Sequence, residues 1–304
     1  MSGISASQTS SSFSGSATYK NFGELWGHPK GLFILFFTEM WERFSYYGMR
    51  AILVYYMMKQ LLFTQEKASQ IYGIYTGLVY LTPFFGGMLA DRVIGQRRAV
   101  VLGGILMATG QFLMAFENTF YLALFFLIMG NGAFKPNIST QVGSLYESID
   151  SRRDRAFSIF YVGINLGAFF SPLICGTLGE LYGWRYGFGA AGVGMLTGLM
   201  FYLWGQRYLA PDRIMEIKRN NAANKLSKAK TDQLGKSNNS DKSEKLTSEE
   251  KSGIGAFFVI CMLVVVFWGV YEQQGNTLAL WADSQTDRHL FGGDWVMPAS
   301  WFQS

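Results

Sequence analysis

Charge is scarce in this sequence. Of 304 residues only 15% are Asp, Glu, Lys or Arg, where a soluble domain carries about a quarter. Cysteine and histidine are scarcer still. Cys175 and Cys261 lie far apart inside apolar runs, and His28 and His289 stand alone. That excludes a disulfide framework and any metal-ligand spacing, and it leaves no histidine cluster for catalysis. There is no paired catalytic aspartate, no Ser/His arrangement and no HExxH zinc motif, so an enzymatic reading has no residues to rest on. Residues 1–21 are Ser-rich and lack a basic start followed by an apolar core. They read as a disordered polar tail rather than a cleaved leader.

What the chain has is apolar length. Hydrophobic residues make up 49%, aromatics 16%, and there are 35 glycines. A bilayer-crossing helix needs about 20 mostly apolar residues. Runs of that kind lie near 31–58, 68–91, 98–117, 119–142, 156–181 and 186–205. A polar stretch of Lys, Asn and Ser follows over 206–250, then a seventh run over 253–275 and the start of an eighth near Met297. The expected fold class is an all-α polytopic membrane protein. Its parts are a six-helix amino-terminal bundle over 22–205, a linker over 206–250, and the beginning of a second bundle over 251–304.

The net charge of +5 does not point to nucleic acid, because the cations sit between apolar runs, as in membrane proteins. Arg92, Arg97 and Arg98 lie between the second and third runs, and Arg152, Arg153 and Arg155 between the fourth and fifth. The alternate connections carry far fewer. The basic connections, the 206–250 linker and the amino terminus are therefore expected on the cytoplasmic side. Small pairs at i, i+4, Gly73/Gly77, Gly163/Gly167, Gly179/Gly183 and Gly194/Gly198, would let helix backbones approach closely. Pro83, Pro136 and Pro172 predict bends within or at the edge of spans.

Four charges stand in the first span, at Glu39, Glu42, Arg43 and Arg50. A lone charge at mid-membrane costs roughly 2.5–3.5 kcal/mol. At 100° per residue these four share a stripe with Tyr46 and Tyr47, while Phe37, Trp41 and Phe44 face the other way. The stripe must face a protein interior or a watered cavity, with Glu and Arg paired. Buried pairs stabilise little once desolvation is counted, which favours a working role over a purely structural one. In the fourth span Lys135 is a single charge some seven residues from the end, too deep for its ammonium to reach the interface with ease. Glu272, at the end of the seventh apolar run, is its candidate partner. Tyr161 and Asn165 lie one turn apart in the fifth span and can share a cavity. Tyr80 in the second span reads as readily as a packing residue.

These motifs together resemble one family, the proton-dependent oligopeptide transporters of the major facilitator superfamily. EMWERFSYYGMR (39–50), GGMLADRVIGQRR (86–98), FKPNIST (134–140), FYVGINLGAFFSP (160–172) and YEQQGNT with the final WFQS occur in that family's order. The resemblance covers about 22–205 and 253–304. It implies the superfamily fold and proton-coupled symport of di- and tripeptides. Amino acids or nitrate remain alternative cargo, and an inactive fragment remains an alternative state. It further implies that Arg50 and Lys135 hold the peptide carboxylate, and that Asn165 contacts its amino end or backbone. Tyr47, Tyr80, Tyr161 and Trp301 would line the pocket. Glu39, Glu42 and Arg43 would couple the proton, and Glu272 would pair with Lys135. Gly87 would allow close helix contact, with Asp91, Arg92, Arg97 and Arg98 forming a cytoplasmic latch. No cofactor is implied beyond the proton, and no metal. The expected setting is the lipid bilayer of the cell membrane, the inner membrane of a bacterium, with a monomer when intact. Members carry about twelve spans, so the sequence is expected to be the amino-terminal part of a longer transporter. It departs from many bacterial members in lacking two extra apolar spans between the bundles.

Overall fold

The computed structural model describes residues 23–147, 149–212, 248–289 and 295–303. The expected tail over 1–21 and most of the expected linker lie outside the described residues. A two-stranded turn, β1 (Glu24–Leu25) with β2 (His28–Pro29), leads into α1 (Lys30–Lys59). Then come α2 (Gln65–Leu89), α3 (Gln96–Leu113), α4 (Phe120–Ser144), α5 (Arg152–Ser171) and α6 (Trp184–Gly205). They correspond to the six expected spans. The seventh span is α7 (Ser248–Tyr271), a 3₁₀ turn over Glu272–Gly275, and α8 (Thr277–Gln285). Where the eighth was expected to begin, Ala299–Gln303 forms a 3₁₀ turn.

α1 is the axis of the bundle. It packs chiefly on α5 and α6, while α4 packs on α2 and α3. Glycine makes these contacts close. Gly163 and Gly167 of α5 abut the carbonyls of Phe36 and Met40, and a Cβ on Gly103 of α3 would stand 2.6 Å from the Gly130 carbonyl oxygen of α4. Without side chains there, backbones meet directly. The Gly73/Gly77 pair behaves differently: a Cβ on either would meet no other element within 4 Å among the described residues.

Four stretches are long and apolar enough to cross a membrane: Gln65–Ile94, Arg152–Tyr182, Trp184–Tyr208 and Gly253–Gln285. α1, α3 and α4 fall short of that measure. The reason for α1 and α4 is the polar side chains of their inward faces: Glu39, Glu42, Arg43 and Arg50 on α1, and Asn131 and Asn137 on α4, are all buried. Around the bundle, large apolar residues such as Ile74, Phe84, Tyr121, Val193 and Met200 are exposed. This is a protein turned inside out, with polar groups within and a greasy exterior, as a bilayer requires.

Proline bends the bundle less than expected within α2 and α4, which run through Pro83 and Pro136 unbroken. Pro172 does end the regular part of α5. Two widened, π-helical turns follow, Pro172–Gly176 and Leu178–Tyr182, because proline has no N–H to continue the ladder. Cys175 is buried there against Gly48 of α1.

Candidate functional site

A cavity of about 640 Å³ lies between α1, α2, α4 and α5 on one side and α7 on the other. Each wall contributes what its helical stripe presents. α1 supplies Glu39, Arg43, Tyr47 and Arg50; α2 supplies Tyr80; α4 supplies Lys135 and Ser139; α5 supplies Tyr161 and Asn165; the seventh span supplies Trp268, Tyr271, Glu272 and Gln274. The volume suits a small polar ligand, since such sites run roughly 300–1,000 Å³.

On the α1 wall, Arg43 Nε lies 2.9 Å from Glu39 Oε1 and 2.5 Å from Glu42 Oε2. Two carboxylates thus share one guanidinium, and all three groups are almost wholly buried. Hydrogen bonds are left unmade on both sides, since Arg43 Nε and Nη2 also have no partner of good geometry among the described residues. Glu39 Oε2 and both Glu42 oxygens have no hydrogen-bond partner among the described residues. Counted formally, with both carboxylates ionised, the cluster would carry one negative charge in excess. Glu42 does not touch the cavity; it sits behind Arg43, with no exposed surface.

About two turns further on, Arg50 is held on three sides. Its Nη2 lies 2.7 Å from Glu272 Oε2, its Nε donates to the Tyr72 hydroxyl at 2.7 Å, and its guanidinium lies over the Tyr47 ring. The Tyr80 hydroxyl donates to the other Glu272 oxygen at 3.0 Å. Ser69 adds a bond to Asn276 at 3.0 Å. Glu272 reaches this position because the seventh span breaks there, with Asn276 at φ −125°, ψ −81°. Gly275 makes the docking possible, since any side chain on it would strike Tyr72 and Arg50.

The expected Lys135–Glu272 pair is therefore not formed in this structure. Arg50 and Tyr80 occupy both oxygens of Glu272, and no described carboxylate lies within ion-pair distance of Lys135. Its Nζ instead sits 4.7 Å from the centre of the Tyr80 ring. A cation against an aromatic face is held by the ring's quadrupole and stays open to the cavity. Tyr161 is exposed to the cavity, and Asn165 Nδ2 donates to the Tyr161 carbonyl at 2.9 Å.

Trp301 does not join them. Its indole N–H donates to Thr177 Oγ1 at 2.9 Å and its ring packs on Trp295, so it belongs to the closed end of the structure and does not line the pocket. That end carries a network the sequence reading missed. Lys59 Nζ lies 2.8 Å from Asp283, which also pairs with Arg288 at 3.1 Å. Glu180 accepts the backbone N–H groups of Ala299 and Ser300 at 2.9 and 2.8 Å. The Tyr55 hydroxyl donates to the Ala279 carbonyl at 2.7 Å. Lys59, Asp283 and Glu180 were legible only as charges near helix ends.

The other end differs. From Ile254 to Val270 the large apolar side chains of α7 are exposed. The α2–α3 connection there holds the expected latch residues. Gly95 turns the chain at φ +87°. Arg97 donates to the Leu209 and Ala210 carbonyls, and its backbone N–H to Asp212 Oδ1 at 3.0 Å. The latch thus closes on the segment after α6 rather than within the loop. Among the described residues Asp91 accepts only from Gln96, at 3.3 Å, and Arg92 and Arg98 are exposed. Gly87 faces Pro136 of α4, where a Cβ would make only an ordinary contact at 3.5 Å; the close approach to α4 expected of it falls instead at the neighbouring Gly86, which abuts the Gly132 carbonyl. Leu209, Ala210 and Asp212 are buried, so the linker expected from 206 stays on the bundle at least to Asp212.

A profile of the POT family (PTR2) matches residues 97–304. This chain belongs to the POT family. Among curated POT-family relatives and other proteins similar to it, an uncharacterised transporter of Bacillus subtilis, YclF, is 39% identical over 91% of the chain and 64% of that protein. A di-/tripeptide transporter of Lactococcus lactis subsp. cremoris is 35% identical over 91% of the chain and 66% of that protein. The chain thus spans slightly less than two thirds of the length of each. A crystal structure of a peptide transporter POT in complex with sulfate matches with a TM-score of 0.77 at 36% identity, covering 93% of the chain and 66% of that structure. The all-α membrane fold of the POT transporters is accordingly the fold of this chain.

Proposed function

We propose that the full-length protein takes up di- and tripeptides across the cell membrane, driven by protons moving inward, by alternating access between the two bundles. The observation that carries this reading is the uncommitted Lys135 at a cavity whose other cation, Arg50, is already engaged by Glu272. A zwitterionic peptide needs a cation for its carboxylate and acceptors for its amino end. Lys135 supplies the first; Asn165, the Tyr161 region and Glu39 of α1 supply the second. Contacts to termini and backbone leave side-chain identity free.

Protons act at two places in this reading. Counted formally, with both carboxylates ionised, the Glu39–Glu42–Arg43 cluster would have one negative charge in excess, which a proton neutralises in a water-poor interior. Glu272 links the bundles through Arg50 and Tyr80; neutralising it removes the charge that holds them. The Lys59–Asp283–Arg288–Glu180 network then belongs to the outer side and the start of α7 to the cytoplasmic side, with the amino terminus cytoplasmic. That orientation rests on the basic connections. Arg97 and Asp212 brace the cytoplasmic end of the amino-terminal bundle. The protein works as a monomer and needs no cofactor beyond the proton.

Uptake into liposomes by the full-length gene product tests this. An inward proton gradient should drive accumulation of dialanine, with single amino acids and nitrate competing poorly. Nitrate competing as well as unlabelled dialanine would contradict the assignment.

A further inference from the structure

A second cavity, of about 520 Å³, lies outside the transport pathway at the outer end of the bundle. It is walled by the ends of three helical elements: Tyr56 and Gln60 closing α1, Glu117 in the turn before α4, and Trp184, Arg185 and Tyr186 opening α6. Glu180 borders it but is spent on Ala299 and Ser300.

Tyr56 is the unexplained group. Its ring is packed among Phe120, Trp184 and Phe188, with centroids 6.0, 6.3 and 5.0 Å away, and the residue is 2% exposed. Yet its hydroxyl has no hydrogen-bond partner among the described residues. A buried hydroxyl left unsatisfied has lost its hydration without compensation, and native structures seldom leave one without water or a ligand. Beside it Glu117 accepts one bond, from Gln60 at 2.6 Å, and no described cation lies within ion-pair distance of that carboxylate. Arg185 is exposed and likewise has no described carboxylate within that distance. The cavity therefore offers an acceptor set for an ammonium (Tyr56, Glu117 and the Trp184 and Tyr186 rings) and, at its rim, a guanidinium for an anion.

We propose that this cavity seats a phospholipid headgroup of the phosphoethanolamine type, with the ammonium at Tyr56 and Glu117 and the phosphate at Arg185. Its place at helix ends is the headgroup depth of a bilayer, where Trp and Tyr gather. An ammonium over aromatic faces and beside a carboxylate gains from both. A choline headgroup has no N–H to give Tyr56 or Glu117 and fits less well.

Native mass spectrometry of the full-length protein, delipidated and titrated with dioleoyl phosphatidylethanolamine or dioleoyl phosphatidylcholine, tests the site. The ethanolamine lipid should bind at least about fivefold tighter. Tyr56→Phe and Glu117→Gln should each remove most of that preference. In lipid-free detergent Tyr56→Phe should melt no lower than the wild type, because it deletes an orphan hydroxyl. No preference between the lipids, or a preference surviving both substitutions, would overturn the proposal. Free phosphoethanolamine binding as tightly as the lipid would place the ligand in solution and overturn the lipid assignment.

Discussion

Glu272→Gln is expected to abolish gradient-driven accumulation of dialanine while leaving exchange of internal for external peptide within about twofold. Glutamine keeps the shape of the side chain: its carbonyl oxygen can face Arg50 and its amide NH2 can donate to the Tyr80 hydroxyl, the two groups that lie 2.7 and 3.0 Å from Glu272. What it cannot do is gain and lose a proton. The contact between the seventh span and α1 would then no longer respond to the gradient, although binding and the conformational cycle itself persist. Paired measurements of accumulation and of exchange in the same liposomes check this. Full accumulation by the variant would leave the Glu39–Glu42–Arg43 cluster as the proton-carrying element and refute a titrating contact at Glu272.

Arg43→Met should be the most damaging single substitution in the chain. It removes the one cation serving two carboxylates that are 3% and 0% exposed. Breaking a buried ion pair from one side costs about 3–5 kcal/mol, a large fraction of a typical folding free energy. The variant should be scarce in the membrane and melt far below the wild type in detergent. Adding Glu39→Gln and Glu42→Gln to the same chain should restore abundance, because the interior is then neutral, yet proton-driven uptake should stay absent. Fluorescence-detected size exclusion and thermal melts read the first effect, and liposome uptake the second. A triple variant as unstable as Arg43→Met would show that the arginine matters for its volume rather than its charge.

Much of this architecture was legible in the order of residues. Apolar runs located α1–α6, because a bilayer imposes length and composition on each span independently of its neighbours. The stripe of Glu39, Glu42, Arg43 and Arg50 follows from helical periodicity alone, and it does line the interior. What periodicity cannot give is which charge meets which across helices. Glu272 seemed matched to Lys135, as the two isolated charges of their spans, but its partner is decided by where the seventh span breaks. The Glu272–Asn276 stretch, with φ −125° at Asn276, swings the carboxylate onto Arg50 and Tyr80. Tyr72 was passed over although Tyr72, Thr76 and Tyr80 form one i, i+4 stripe on α2 that could have flagged it. Asp212 was hidden by composition, since it opens a polar stretch and looks like linker. Trp301 illustrates the converse: an indole near a pocket-forming segment can equally cap a helix end, and here it bonds to Thr177.

The central claim is that Lys135 is the cation left free for the substrate's carboxylate. Calorimetric binding of dialanine against its carboxamide, to wild type and to Lys135→Gln, tests it most directly. A charge-assisted hydrogen bond contributes about 1.5–3 kcal/mol, so the wild type should prefer dialanine over the amide by roughly ten- to a hundredfold, and Lys135→Gln should bring the two affinities to near equality. A Lys135→Gln protein that still prefers the free carboxylate by the wild-type factor would contradict the account and return that role to Arg50.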